Sequence, residues 1–344
     1  MRAVAPVAVA CLAIALSPTL ALCEQPSEKF AYDDYMEMRA KVVTLYEEQK
    51  YEEMAELLEW ARDRFPDHLM ANSFNLALAY CGLENHEKAM DAFEYALERD
   101  VWFGSYSMGA DVWAPLRELE RFAGIKARNE AMRQEAQKKA RPEQVVVTPD
   151  GFDEAKAYPL FIALHGGGGN IAEFKDVWTS AKMKSEFITA YLQSSLVVGM
   201  DSYSWTENLE VTRREIADAY RKIIKEYRIT EDQVIVGGFS SGGVAALDVA
   251  LSGTIPMAGF IVLCPAKPES FSEERVAAAK ERGLRGTLLT TEMDQRLADQ
   301  EEMAEILKRV GFPHQFIVTP DIGHWIPEDL DEQIDRAIEH VRGE

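Results

Sequence analysis

From Val145 onward the chain alternates short apolar runs with longer amphipathic stretches, and that alternation limits the fold more than any other feature. The runs are VVV (145–147), LFIAL (160–164), FITAYL (187–192), VIV (234–236), GFIVL (259–263), TLLTT (287–291) and QFIVT (315–319). Each is no longer than a strand, and most are too uniformly apolar to leave one face in water. Between most of them lie helical stretches such as VTRREIADAYRKIIKEY and EEMAEILKRV. An α/β architecture, a mostly parallel sheet with helices on both faces, is what buries such strands. Sheets of this class bind ligands at the carboxyl ends of their strands, so the residues just after each run are where chemistry is expected.

Before residue 141 the pattern is different. Residues 30–140 are rich in Ala, Leu, Glu, Met, Lys and Arg and nearly lack β-branched runs, so helices are expected throughout. Ala89, Phe93 and Ala96 fall on one helical stripe, and Met54, Leu58 and Ala61 repeat it thirty-five residues earlier, with Pro66 standing where Val101 stands later. A period of about 34 residues is the signature of stacked helix pairs. One more shift lands on Gly124, Arg128 and Ala131, where the pattern breaks. Two repeats are therefore expected, the first degenerate, with 112–140 as a helical cap. Such a unit either docks a protein partner or another copy of itself, or packs on the neighbouring domain.

The first residues, MRAVAPVAVACLAIALSPTLALC, carry one charge at Arg2 and no other before Glu24. They read as a secretory signal peptide at 1–23, cleaved after Ala21 or after Cys23, which predicts a secreted or periplasmic protein. A membrane anchor is the competing reading, weakened by the Ser17-Pro18 break. Lipidation of Cys23 is disfavoured by the bulk of Leu22. The expected organisation is then a leader at 1–23, a helical domain at 24–141 and a sheet domain at 142–344, and 47% hydrophobic residues suffice for two modest cores. Beyond the leader only Cys81 and Cys264 remain, too few for a disulfide framework and both in apolar surroundings. A formal charge of −21 argues against nucleic acid and anionic membranes as partners.

Three strand ends carry chemistry. LFIAL is followed by His165-Gly166-Gly167-Gly168-Gly169-Asn170, whose bare backbone can turn amides toward a ligand oxygen. VIVGG is followed by Phe239-Ser240-Ser241-Gly242-Gly243, and QFIVTPDIG by His324. A strand-to-helix turn that presents a serine needs small residues two before and two after it. Ser240 has Gly238 and Gly242, whereas Ser241 would have Phe239. Ser240 is thus the candidate nucleophile, and the Ser241 amide, opening the next helix, can help hold an oxyanion. A serine hydroxyl needs a base, and His324 stands where one is required. His314 precedes its strand, at the opposite end of the sheet, and is read as structural. The acid that orients the imidazole is Asp294, just past TLLTT, with Glu292 in reserve; Asp321 and Asp201 read as solvated loop residues.

The order Ser240, Asp294, His324 behind an HGGGG loop resembles the α/β-hydrolase superfamily over residues 144–341. Within it, YPLFIALHGGGGN, AYLQSS, ITEDQVIVGGFSSGGVAALDVAL and DIGHWIP look like the compact phospholipase/carboxylesterase and feruloyl-esterase-like predicted esterases, although many of those carry glutamine where Ser241 stands. Leu76, Ala77, Tyr80, Ala89, Phe93 and Ala96 resemble the tetratricopeptide repeat. The resemblance implies a serine esterase: Ser240 attacks, His324 moves the proton, Asp294 holds the imidazole, and amides near Gly166, Gly167 and Ser241 hold the oxyanion, with no metal or cofactor. A small-molecule or polymer-tethered ester is the expected substrate, because 265–285 and 194–205 are too short for a large lid. Trp205, Tyr203 and Trp325 are candidate pocket walls, or else core. A serine peptidase of the same fold and a non-catalytic repeat scaffold with a relic hydrolase domain are the alternatives. Since no triad residue lies before 141, a chain starting near Arg141 is expected to keep small-ester turnover, and if it does not, Trp102 and Trp113 are the first pocket aromatics to consider.

Overall fold

The computed structural model describes residues 29–344. The expected leader at 1–23 lies outside them. In the amino-terminal half, strong helix formers give α1 (Tyr35–Glu47), α2 (Tyr51–Arg64), α3 (Leu69–Gly82) and α4 (His86–Leu97), packed in chain order. Asp34 and Asn85 cap α1 and α4, each side chain accepting a first-turn amide hydrogen. The repeating stripes, Met54, Leu58 and Ala61 with Ala89, Phe93 and Ala96, are all buried in one core. Trp113, Phe122 and Ile125 close that core from the following stretch. That stretch is broken where Pro115 interrupts it: α5 (Ser105–Gly109), a 3₁₀ turn over Asp111–Leu116, then α6 (Glu120–Lys139). Arg121 of α6 pairs with Glu87, Asp91 and Glu94, which ties α6 to α4.

The carboxyl-terminal half runs β1 (Glu143–Val147), β2 (Tyr158–Leu164), α7 (Ile171–Val177), α8 (Ala181–Glu186), β3 (Ile188–Gln193), β4 (Val197–Gly199), β5 (Ser202–Tyr203), α9 (Leu209–Glu226), β6 (Ile229–Phe239) and α10 (Ser241–Ser252). It continues through β7 (Gly259–Leu263), α11 (Glu273–Glu281), β8 (Arg285–Thr291), α12 (Leu297–Val310), β9 (His314–Thr319) and α13 (Leu330–Arg342). Seven strands form one sheet in the order β1-β3-β2-β6-β7-β8-β9; β1 is antiparallel to β3 and every other neighbour pair is parallel. This is the expected α/β architecture, a mostly parallel sheet with helices on both faces. Period-two alternation sorts each strand across the sheet, which is why the runs read as continuously apolar. Leu160, Ile162 and Leu164 face the layer of α9, α10, α11 and α12, while Phe161 and Ala163 face α7, α8 and α13.

The strand order reverses between β2 and β6, so their carboxyl ends flank the crevice where ligands bind in such sheets. Beside it stands the small β4–β5 ribbon, antiparallel and separate from the main sheet, which no apolar run in the sequence announces. The helical half grips this ribbon. Gln137 accepts the Val197 amide hydrogen at 2.9 Å and donates to the Ser195 carbonyl at 2.8 Å, and Arg133 donates to the Val197 carbonyl at 3.0 Å. Val197 itself is buried in the helical core. The two halves are therefore joined by hydrogen bonds from α6 side chains to the ribbon backbone and by apolar contact.

Candidate active site

The turn after β6 carries Ser240 in the left-handed region, φ 52° and ψ −114°, where a side chain is strained. Its geometry depends on the glycines at either side. A Cβ on Gly238 would lie 2.5 Å from the Leu164 carbonyl oxygen, and one on Gly242 only 2.2 Å from the same atom. The turn is thus pressed against the end of β2, and only glycine fits at both positions. The Ser240 amide is fixed by the Leu263 carbonyl at 2.8 Å, while its hydroxyl points to the crevice.

His324 arrives on the loop after β9, and its Nε2 lies 2.9 Å from Ser240 Oγ. Its Nδ1 lies 3.0 Å from Asp294 Oδ2. Asp294 is almost entirely buried, and its oxygens are fully occupied: Oδ2 also accepts from Gln300 Nε2 at 3.0 Å, and Oδ1 accepts the Arg296 amide hydrogen at 2.9 Å. Burial pushes the Asp294 carboxyl up, but the donors Gln300, Arg296 N–H, His324 and Cys264 outweigh it and hold the group below the ordinary aspartate value. An ionised Asp294 assigns the proton to Nδ1 and leaves Nε2 free to accept.

The other acids lie elsewhere. Glu292 does not reach His324; its carboxylate accepts the Asp321 amide hydrogen, and with the Met293–Ile322 and Thr291–Gly323 hydrogen bonds it clamps the histidine loop to the end of β8. Asp201 is an exposed turn residue, as expected, and its carboxylate also accepts from Asn170 at 3.2 Å. His314 sits at the start of β9 against the Phe312 carbonyl.

The glycine loop faces Ser240 across the crevice. The Gly168 amide donates to the Tyr203 carbonyl at 2.8 Å and the Gly169 amide to the Gly166 carbonyl at 3.1 Å. Among the described residues the amides of Gly166 and Gly167 have no such carbonyl, and the Ser241 amide opens α10, where helical N–H groups lack intrahelical acceptors. His165 underpins the loop: its Nδ1–H donates to the Gly166 carbonyl at 2.7 Å, and Trp205 Nε1 donates to the His165 carbonyl at 3.0 Å. Burial pulls the His165 imidazole down to about 4. Trp205 is thereby a buried support and not a pocket wall, and Tyr203 acts through its backbone. Trp325, 69% exposed, lines an apolar groove on the outer side of the glycine loop with Phe239, Val177 and Ile326.

The cleft over Ser240 measures about 300 Å³ and is lined by Tyr106, Gly167, Thr206, Val244, Ala266 and Arg296 besides Ser240, Ser241 and His324. Tyr106 belongs to α5, so the helical half reaches the site; Trp102 and Trp113 are buried in the helical core and do not. A larger cleft of about 800 Å³ opens by Tyr227 and Ile229, at the amino end of β6 and away from these groups.

Cys264, Asp294 and His324 offer ligand atoms within 4.8 Å of one another. The donor set suits a metal poorly. Burial pushes the Cys264 thiol up to about 12, so it stays protonated, and both ring nitrogens of His324 are engaged by Asp294 and Ser240.

No family model matches this chain, and no curated protein does. Among solved structures it is similar to an uncharacterized protein from Bacillus cereus ATCC 10987, 24% identical, over 90% of this chain and 99% of that one, with a TM-score of 0.51. That overlap spans both halves, so the whole two-part fold recurs there. Weaker likenesses are to esterase PE8, 16% identical over 59% of this chain and 99% of that one with a TM-score of 0.48, and to the Bacillus cereus carboxylesterase, 15% identical over 61% and 99% with a TM-score of 0.45.

Proposed function

We propose that this chain is a serine hydrolase that cleaves carboxylic esters through an acyl-enzyme intermediate. The observation that carries the reading is the continuous hydrogen-bonded line from Ser240 Oγ to His324 Nε2, and from His324 Nδ1 to a buried Asp294. As Oγ attacks the carbonyl carbon, its proton passes to Nε2, and Asp294 stabilises the imidazolium through Nδ1–H. The carbonyl oxygen takes the negative charge among the amides of Gly166, Gly167 and Ser241 at the positive end of α10. Collapse of this intermediate sends the Nε2 proton to the leaving alcohol oxygen. Water then repeats the sequence on the acyl-serine, releasing the acid and restoring Ser240. The leader read at 1–23 makes an exported enzyme part of the proposal, with the helical repeats serving as a wall of the catalytic unit.

A fluorophosphonate should label native protein at Ser240 alone, and Ser240→Ala should lower acetyl-ester hydrolysis on the order of a thousandfold or more. Turnover of an ester but not of the matching anilide separates this reading from a peptidase. An unlabelled Ser240 in folded protein would refute it.

A further inference from the structure

We infer that Arg296 selects esters whose alcohol portion carries a carboxylate. This rests on the hydrolase reading above and deepens it. The Arg296 guanidinium lies 3.4 Å from His324 Nε2 and 3.5 Å from Ser240 Oγ, both at the outer limit of hydrogen bonding. Among the described residues no carboxylate pairs with this guanidinium, and no acidic side chain lines the cleft. Its backbone is fixed by Asp294 Oδ1, so the triad acid also sets where the arginine stands.

The position tells which part of the substrate it meets. The leaving oxygen must receive the proton from Nε2, so the alcohol portion passes within hydrogen-bond reach of that nitrogen. The oxyanion lies on the other side, at Gly167 and Ser241. Arg296, beside Nε2, therefore faces the alcohol portion and not the acyl chain.

Charge argues for what that portion carries. When His324 accepts the serine proton, two cations stand within hydrogen-bond distance of each other, which opposes the transfer. A carboxylate on the substrate pairs with the guanidinium in a two-pronged contact, draws it away from Nε2 and neutralises its field. A neutral ester leaves the repulsion in place. Binding and proton transfer thus improve together for an anionic alcohol portion, and the cleft of about 300 Å³ limits that portion to a small hydroxy acid.

The test compares acetoxyacetate with acetoxyacetamide, and 3-acetoxybenzoate with 3-acetoxybenzamide, in the full chain, following acetate release. Each pair differs in charge at nearly constant shape. Arg296→Gln should lower kcat/KM for the carboxylates on the order of tenfold to a hundredfold. The same substitution should raise kcat/KM for the carboxamides several-fold, inverting the preference, while Arg296→Lys should keep the wild-type direction with a smaller ratio. Fluorophosphonate labelling of both variants checks that the triad is intact. Parallel loss on both members of a pair overturns the inference, because Arg296 would then serve any ester, and so does no change on either. Wild-type protein that labels at Ser240 and shows no charge preference sinks this inference and leaves the hydrolase reading standing; folded protein that does not label sinks both.

Discussion

Gln300 donates to Asp294 on Oδ2, the same oxygen that faces His324 Nδ1, and both contacts measure 3.0 Å. The amide is fully buried and fully satisfied. Its second hydrogen goes to the Pro265 carbonyl at 3.1 Å and its oxygen accepts from Thr290. Gln300→Leu removes a donor that holds the carboxylate ionised and aimed. We expect kcat to fall about tenfold to a hundredfold with KM for a small ester nearly unchanged, and stability to fall by about 1–3 kcal/mol from the stranded Thr290 and Pro265 groups. A kcat within twofold of wild type in folded protein would show that Asp294 is oriented without it.

The serine turn makes opposite demands at adjacent positions. A methyl on Gly242 meets the Leu164 carbonyl oxygen at 2.2 Å, and that backbone is the end of a central strand that has no room to retreat. Gly242→Ala should abolish activity and cost several kcal/mol, about the upper range for single substitutions. Ser241 is more tolerant, because its hydroxyl is buried without a partner and its amide survives substitution. Ser241→Ala should keep activity within about tenfold and leave stability equal or slightly higher. Thermal melts and initial rates on the two variants suffice, and equal damage would mean that the Ser241 hydroxyl has a role in the turn.

His165 gives the protein an acid-side weakness separate from its chemistry. Its ring is buried, Nδ1–H serves the Gly166 carbonyl, and Nε2 has no partner, so the folded chain holds it neutral and its pKa falls to about 4. The unfolded chain binds the proton near an ordinary ~6.5. A depressed pKa makes the stabilising contribution complete above the unfolded value and lost as pH drops toward the folded one. Between those values stability should fall by up to about 1.4 kcal/mol per pH unit, roughly 3 kcal/mol in all. Burial, with Arg285 beside it, lowers His340 as well, so some slope will persist in any His165 variant. His165→Asn should flatten the denaturant-midpoint profile in this window, and an unchanged slope would move the effect to other groups. Asp294 does not contribute there, since its carboxyl lies below the ordinary aspartate value and its share is lost only as pH falls through that lower pKa.

What the sequence made legible follows from how local each signal is. Gly238 and Gly242 bracket Ser240 within five residues, so the motif is legible as a local pattern, although the Leu164 carbonyl that excludes a side chain at both positions belongs to the distant strand β2. Asp294 and His324 were placed by the rule that loops after parallel strands meet on one edge. Gln300 and Arg296 escaped because their meaning lies in which atoms of Asp294 they occupy, and nothing in DQRLADQ marks that. The β4–β5 ribbon escaped because VVG and SY are too short for a period to show. Trp205 reads from sequence as a pocket wall or almost as well as core, and its hydrogen bond to the His165 carbonyl puts it beneath the glycine loop. Tyr106 is a coincidence of tertiary packing between distant segments, and no local pattern carries it.

That packing changes what should happen when the helices are removed. From sequence alone, a chain starting near Arg141 is expected to keep small-ester turnover, since every residue of the proposed triad lies beyond it. The hydrogen bonds now trace a path in the other direction. Gln137 and Arg133 of α6 hold Ser195 and Val197, Val197 pairs with Tyr203 across the ribbon, and Tyr203 takes the Gly168 amide and donates to the Gly169 carbonyl. The last link fixes the loop that carries Gly166 and Gly167, the proposed oxyanion donors. Cutting away α6 should therefore loosen the oxyanion donors as well as remove Tyr106 from the cleft and expose Val197. Loss of one oxyanion donor typically costs on the order of a hundredfold to a thousandfold in kcat, so the truncated chain should retain at most a few per cent of small-ester turnover even where it stays soluble. Because such a chain can also aggregate through the uncovered surface, Gln137→Ala with Arg133→Ala in the full-length protein supplies the second measurement. It should lower kcat in the same direction by a smaller factor, while Tyr106→Ala, which leaves the ribbon untouched, should raise KM more than it lowers kcat. Full turnover by a soluble chain beginning at Arg141 would show that the glycine loop holds its shape unaided and would return the helices to the role of a separate docking module.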